Sequence, residues 1–261
     1  RIDPFHTMKQ GIEKEVSNPY LRTLLMRYAT YNGSNPYTAP ATLNCIAWVE
    51  LGLGCYGIKG GMSVLAQALE RVAKRCGVLL FYQSPVQSIL LQQQQVHGVL
   101  LENGDRIQTS HVISNVDVSH LIEQLLPPDL SHGIPANQEP SMSGWNAIIR
   151  TTRDPNRAAH TVLFPKDYSQ EFEDIFSIQI PPTDPTVYLC NPAKSHRKTL
   201  WEESEALFVM ANAPAEPNQR ASSTHQWDTL RTRVRQRLEQ ASIIAPNDAI
   251  VWERSPTQLA Q

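Results

Sequence analysis

The sequence has no apolar run approaching the ~20 residues that a membrane-spanning helix needs. Its opening, RIDPFHTMKQ, has no initiator Met and is not followed by the apolar region of a secretory signal. The start at Arg1 and the end at TQLAQ read as cut points. Positive charge is not in excess, since 23 Lys and Arg stand against 25 Asp and Glu for a net charge of −2, so a nucleic-acid partner has no electrostatic support. Cysteine is scarce: Cys45, Cys55, Cys76 and Cys190 form no CxxC pair, and the expectation is reduced, mostly buried thiols. The histidines show neither HxxxH nor HxH spacing, so no metal centre is expected. GxSxG is missing too, and with it the nucleophile elbow of a hydrolase.

What remains is a globular composition, 41% hydrophobic and 18% charged over 261 residues, enough for one large domain or two small ones. Residues 5–52 read as helical segments broken by turn signals at Ser17-Asn18-Pro19 and across 32–36. Asn32-Gly33-Ser34 matches a glycosylation sequon, and without secretion it reads as a turn. In the run beginning at Ala39, Leu43, Ala47 and Leu51 recur at helical spacing beside Trp48, predicting a buried helix with Trp48 in the core. Gly60-Gly61 opens an amphipathic helix carrying Met62, Leu65, Leu69, Val72 and Cys76, which Gly77 stops.

Four strands are expected next, at 78–82, 86–91, 96–101 and 106–114. Asn103-Gly104 is a hairpin signal between the last two, and the Gln92 to Gln95 run is a loop or strand edge. A short helix from Asp117 ends at Pro127-Pro128, and the connector 127–141 is a domain-boundary candidate. WNAIIRTT, HTVLF, PTVYLC and ALFVMANA read as further strands, with a helix at KDYSQEFEDIF whose Glu171, Glu173 and Asp174 are expected on a solvated face. A long helix near the C-terminus carries Trp227, Leu230, Val234 and Leu238 on one stripe. Its arginines at 231, 233, 235 and 237 point in different directions, as a solvated face would, or reach anionic lipid headgroups. The order of elements indicates α/β or mixed α+β architecture.

Gly52-Leu53-Gly54-Cys55-Tyr56-Gly57 matches the GxGxxG of a dinucleotide-binding turn. The preceding segment has helical spacing, however, and the next strand ends in Tyr82-Gln83-Ser84 with no acidic residue for a ribose. A glycine-rich turn is the expected identity of this match.

Three blocks, in order, resemble the phytoene desaturase family of FAD-dependent carotenoid enzymes. The first is RYATYNGSNPYTAPATLNCIAWVELGLGCYGIKGGMSVLAQAL, 27–69, with Ile58 where the family usually has proline. The second, 77–126, contains Pro85-Val86-Gln87-Ser88-Ile89 and Ser114-Asn115-Val116-Asp117. It looks like the segment that returns to the FAD-binding domain, which implies cofactor contacts at Val86, Asn115 and Asp117. The third, from HTVLFPKDYSQEFEDIF to EALFVMANAP, resembles the substrate-side domain.

The resemblance implies a discontinuous part of a glutathione-reductase-like FAD-binding domain plus a mixed sheet-and-helix substrate domain. The segments are 1–56 (helical, on the substrate and membrane side), 57–126 (the returning FAD part) and 127–261 (the substrate domain). The family's opening GxGxxG strand unit and its closing flavin segment are not in this sequence, so the chain looks like the central part of such an enzyme. The implied chemistry is FAD-dependent insertion of C–C double bonds into a carotenoid precursor such as phytoene. Carotenoid isomerase, ketolase or a non-redox apolar-ligand module are the alternatives. Arg27, Tyr28 and Tyr31 are the candidates for lining the substrate site, weighed against an Arg27–carboxylate pair and tyrosine packing. Peripheral membrane association on the cytoplasmic side is also implied.

Overall fold

The structure, a computed structural model, describes residues 3, 5–127, 140–196, 203–215 and 224–259. Two compact units emerge: Arg1–Gln67 with Pro140–Gln261, and Ala68–Glu139. The connector expected at 127–141 falls almost entirely outside the described residues.

The larger unit begins with short helices whose ends follow from local chemistry. Helix α1 (Met8–Glu15) starts at a capping box in which Thr7 and Gln10 satisfy each other's backbone N–H groups. Helix α2 (Pro19–Met26) starts where the Asn18 side chain accepts from the N–H groups of Tyr20 and Leu21, with proline at the first helical position. The chain then tightens into a 3-10 segment, Arg27–Asn32, closed by Gly33 in the left-handed region at φ 69°. A Cβ there would sit 2.5 Å from that of Ser141, and the Gly33 carbonyl accepts from the Met142 N–H at 3.0 Å. Helix α3 (Asn44–Trp48) continues into a π-helical turn, Val49–Leu53.

Five antiparallel strands form the main sheet: β4 (Ser143–Thr152), β5 (His160–Leu163), β6 (Val187–Cys190), β7 (Ser204–Ala213) and β8 (Ala249–Arg254), in the order β5-β6-β7-β4-β8. Both faces are covered. On one, Leu207, Val209, Ala211 and Ala213 of β7, with Val187 and Leu189 of β6, pack with Trp227, Leu230, Val234 and Leu238 of α8 (Thr224–Gln240). Each leucine and valine among them contributes roughly 1.5–3 kcal/mol as an upper bound. The alternate residues, Tyr188 and Asn212 among them, point the other way. There α6 (Tyr168–Phe172) and its π-helical extension, Glu173–Ile178, join Met8, Ile12, Met26 and Tyr28 in a second core.

The smaller unit holds most of α4 (Met62–Arg75) and a three-stranded antiparallel sheet: β1 (Val86–Gln92), β2 (Gln95–Leu101) and β3 (Arg106–Gln108). The helix α5 (Val118–His120) and the turn Leu121–Leu125 follow. Its buried large apolar side chains among the described residues are Ile89, Leu101, Ile122 and Leu125. In the larger unit α7 (Pro192–His196) and α9 (Pro256–Leu259) complete the elements.

Several sequence expectations are corrected. Residues 78–82 form no ladder, and the strand predicted over 106–114 shrinks to β3. The Gln92–Gln95 run makes the tight turn of the β1–β2 hairpin, with Gln93 and Gln94 both at positive φ, the backbone of a type I′ turn. The predicted buried helix around Trp48 holds only Ala47 inside; Trp48 is 65% exposed. Cys45, Cys55 and Cys76 are exposed and Cys190 is half-buried, and none of the four is in a disulfide. Glu171 and Asp174 are buried, not solvated.

Candidate functional site

A 3-10 helix has three residues per turn, so side chains at i and i+3 eclipse. That spacing sets Tyr28 and Tyr31 on one side of the Arg27–Asn32 segment, with ring centroids 5.2 Å apart. Both phenols donate to one carboxylate, Glu50 of the Val49–Leu53 turn: Tyr28 to Oε1 at 3.0 Å and Tyr31 to Oε2 at 2.7 Å. Burial, and then the Glu50 carboxylate, push both hydroxyls up to about 12. They stay protonated at neutral pH and act as hydrogen-bond donors, not bases.

Arg27 places its guanidinium 5.0 Å from the ring centroid of Tyr188 and 6.0 Å from that of Tyr31. Tyr188 reaches it because β6 alternates: Val187 and Leu189 face α8, which turns Tyr188 to the opposite side, where its hydroxyl meets His160 Nδ1 at 2.9 Å. The structure therefore brings together all three substrate-side residues and adds Glu50 and Tyr188. Arg27 makes no ion pair with a carboxylate among the described residues and lies instead against the rings of Tyr188 and Tyr31. Glu50 had a signal in the sequence only in retrospect, as the acid in an otherwise apolar 46–53 run.

A second polar feature lies behind α6. Glu171 accepts from the Thr186 N–H at 2.9 Å, from Thr186 Oγ1 at 2.5 Å and from Asn212 Nδ2 at 3.1 Å. Burial raises its carboxyl to about 7 in spite of these bonds. It borders a cavity of about 190 Å³ with Lys166, Gln170, Asp174 and Thr183. Nearby, Tyr168 is 7% exposed, and its hydroxyl has no partner among the described residues.

Val86, Asn115 and Asp117 lie in the smaller unit. Val86 opens β1, which forms one edge of the three-stranded sheet. Asn115 lies in the exposed segment after β3, and Asp117 caps α5 by accepting from the Ser119 N–H at 2.8 Å. The glycines at 52–57 run from a helical turn into irregular chain, and the next helix, α4, begins only at Met62. Val86 thus stands on a sheet edge and Asp117 at a capped turn. The described residues include no glycine loop to cradle a dinucleotide pyrophosphate. The arginines of α8 are engaged within the chain: Arg231 with Asp228 and Glu253, Arg233 with the carbonyls of Pro181 and Pro182, Arg235 with Glu239 and Pro246, and Arg237 with Asp184 and the Phe164 carbonyl.

Residues 18–233 match the family described as flavin containing amine oxidoreductase. The chain is 33% identical over 237 residues to a hydroxyneurosporene desaturase of Rubrivivax gelatinosus, covering 89% of this chain and 45% of the relative. It is 29% identical over 254 residues to a 4,4'-diaponeurosporene oxygenase of Staphylococcus aureus (strain USA300), covering 96% and 51%. It therefore spans about half the length of these relatives. Among solved structures it resembles an oxidoreductase from Methanosarcina mazei, with TM-score 0.64 and 15% identity over 95% of this chain and 55% of the other. It also resembles a reduced UDP-galactopyranose mutase, with TM-score 0.55 and 12% identity over 97% and 56%. At these identities the structural matches carry the fold alone.

Proposed function

The chain belongs to the flavin containing amine oxidoreductase family, whose cofactor is FAD, and on that premise we propose that it is the central portion of a carotenoid desaturase. In this reading it takes part in forming C–C double bonds in a polyene precursor such as phytoene, with oxygenation or isomerisation of the same substrate class as the competing outcomes. The resemblance of 27–69 to the phytoene desaturase type, and the carotenoid names of the relatives in Rubrivivax gelatinosus and Staphylococcus aureus, support it.

One observation carries the view that the chain works within a longer protein. The apolar stripe of α4 is uncovered: Met62 is 63% exposed and Leu69 62%, and no residue of the helix is buried. Leu79 and Phe81, in the segment predicted as a strand, are 79% and 68% exposed. Apolar surface of this extent marks an interface. A strand of the flavin domain beside 78–82 would cover it and restore the missing ladder.

When bound, FAD supplies the two-electron acceptor. This chain's residues contribute the β1 edge with Val86, together with Asn115 and Asp117, on the cofactor side. For the substrate they contribute a site around Arg27, Tyr28 and Tyr31 that positions an apolar chain and excludes water.

Peripheral attachment to the cytoplasmic face of a membrane belongs to the same proposal. Tyr20, Leu21 and Leu24 of α2, Trp48 at the end of α3 and Leu51 and Leu53 beyond it are exposed, and no described helix is long and apolar enough to cross a bilayer. The test uses the FAD-loaded longer protein with phytoene in liposomes. New absorption at longer wavelength is the expected result, and unchanged polyene with reducible flavin overturns the reading. For the 261-residue chain alone, weak FAD binding is expected, and stoichiometric capture overturns the claim that the pyrophosphate contacts lie elsewhere.

A further inference from the structure

From Trp48 to Gly57 every residue is exposed except one, the half-buried Glu50. Trp48, Val49, Leu51, Leu53 and Tyr56 lie outside both buried clusters of the larger unit, so apolar packing does little to hold this strap down. Among the described residues, its side-chain hydrogen bonds to other segments are the two that the Glu50 carboxylate accepts, from the hydroxyl of Tyr28 at 3.0 Å and from that of Tyr31 at 2.7 Å. Bonds to an ionised acceptor are the strong kind. Tyr28 is buried, and a buried donor deprived of its acceptor loses the full cost of its desolvation. The strap also opens with a π-helical turn, Val49–Leu53, an uncommon backbone found mostly at functional sites, which ends on Gly54 at φ 88°. One acid therefore fastens an exposed apolar segment to two rings of the substrate side.

We propose that Glu50 is a positioning residue whose carboxylate is the catch of the 48–57 strap: closed, it fixes the rings of Tyr28 and Tyr31, and released, it lets the apolar substrate in. This deepens the reading given above and rests on it for the identity of the ligand. With the catch closed, the two rings stand 5.2 Å apart on one side of the Arg27–Asn32 segment. With it open, strap and rings are freed together, because a single carboxylate binds both phenols. A polyene has no polar group with which to displace a hydrogen bond, so the opening comes from the protein's own local fluctuation and the substrate selects the open form. Two bonds are few enough to open without unfolding the core, and strong enough to restore the rings afterwards.

The first measurement is proteolysis of the FAD-loaded longer protein by chymotrypsin, whose cleavage after Trp48, Leu51, Leu53 or Tyr56 tracks how often the strap opens. Glu50→Gln keeps the shape of the side chain and removes the charge of the acceptor. Cleavage within 48–57 is expected to rise about tenfold, the factor that one charge-assisted hydrogen bond commands, with cleavage within α8 unchanged. Tyr31→Phe takes away one of the two bonds at an exposed side chain and should give a few-fold rise; it decides the matter if Glu50→Gln does not fold. In the Tyr28→Phe/Tyr31→Phe background, Glu50→Gln should add nothing, since the groups it acts through are gone. The second measurement is stopped-flow entry of phytoene from liposomes. There Glu50→Gln should speed association several-fold and lower turnover, because the rings are no longer held.

Unchanged cleavage in Glu50→Gln and Tyr31→Phe overturns the catch and leaves the polyene reading standing. A rise spread evenly along the chain overturns it as well, by making Glu50 a general stabiliser, and so does an undiminished effect of Glu50→Gln in the absence of both phenols. Raised cleavage with phytoene entry and turnover both unaltered overturns the part of the strap in admitting substrate. If phytoene does not enter the native protein, the polyene reading itself falls, and the cleavage series still decides whether Glu50 holds the strap.

Discussion

Helices α4 and α8 carry the same kind of apolar stripe and meet opposite fates. Leu230, Val234 and Leu238 of α8 are fully buried against the five-stranded sheet, whereas Leu65, Leu69 and Val72 of α4 are 39%, 62% and 46% exposed. Periodicity tells a helix which face to hide and leaves open what will hide it. The larger unit contains the cover for its own helix. The smaller one has a buried set of Ile89, Leu101, Ile122 and Leu125 and an uncovered helix beside it.

The largest expected contrast comes from cutting the two stripes back. Leu230→Ala should cost about 2–5 kcal/mol in urea denaturation, as a cavity in a packed core does. Leu69→Ala in the 261-residue chain should stay within about 0.5 kcal/mol. Equal costs would mean that α4 is already covered in solution.

The pH profile separates the units next. The Glu171 carboxyl, ordinarily at 4.5, is held by burial at about 7 in the folded chain. Between those values the folded chain keeps a proton that the unfolded chain has released, so stability is fully present below the lower value and falls as pH rises through about 7. The ceiling is on the order of 3 kcal/mol. Stability of the larger unit should decline between about pH 5 and pH 7.5, and Glu171→Gln should flatten the slope; a profile unchanged by that substitution would assign the decline to other groups.

Glycines provide a smaller contrast. Gly33→Ala combines a left-handed backbone with a Cβ 2.5 Å from that of Ser141, for an expected loss of about 1–3 kcal/mol. Gly104→Ala, at φ 90° with nothing within 4 Å, carries the backbone strain alone, about 1 kcal/mol. A thermal melt showing equal losses would remove the role of the Gly33–Ser141 approach. Helix caps give the smallest effect. Asp167→Ala removes the acceptor for the N–H groups of Ser169 and Gln170 and should cost about 1 kcal/mol, while Asp117→Ala, capping the three-residue α5, should cost a few tenths.

How much of this was legible in the sequence follows from what each signal measures. The stripes of α4 and α8, the strands around Trp145, Tyr188 and Val209, and the Arg27–Tyr28–Tyr31 block could be read because periodicity and turn residues act locally. β8 was not read, because Ala249–Arg254 is a short edge strand in the sequence shadow of a long helix. Residues 78–82 have the composition of a strand but no partner among the described residues, and a strand exists only in a ladder. Glu171 looked solvent-facing since its acceptors' partners, Thr186 and Asn212, arrive from 15 and 41 residues away. Trp48 looked buried because hydrophobicity records a preference and says nothing of supply. Tyr188 joined Arg27 through strand alternation on β6, which was visible, combined with a sheet pairing that was not.

The arginines of α8 have one further consequence, for how the protein responds to salt. Arg233 reaches the backbone carbonyls of Pro181 and Pro182, and Arg235 and Arg237, beside their carboxylate partners, reach those of Pro246 and Phe164, which carry no net charge for dissolved ions to screen. Attraction between surface cations and an anionic bilayer, by contrast, fades within a Debye length. Concentrated salt should therefore leave α8 seated on its sheet, and any attachment to vesicles that survives such a wash must come from the apolar side chains of 20–24 and 48–53.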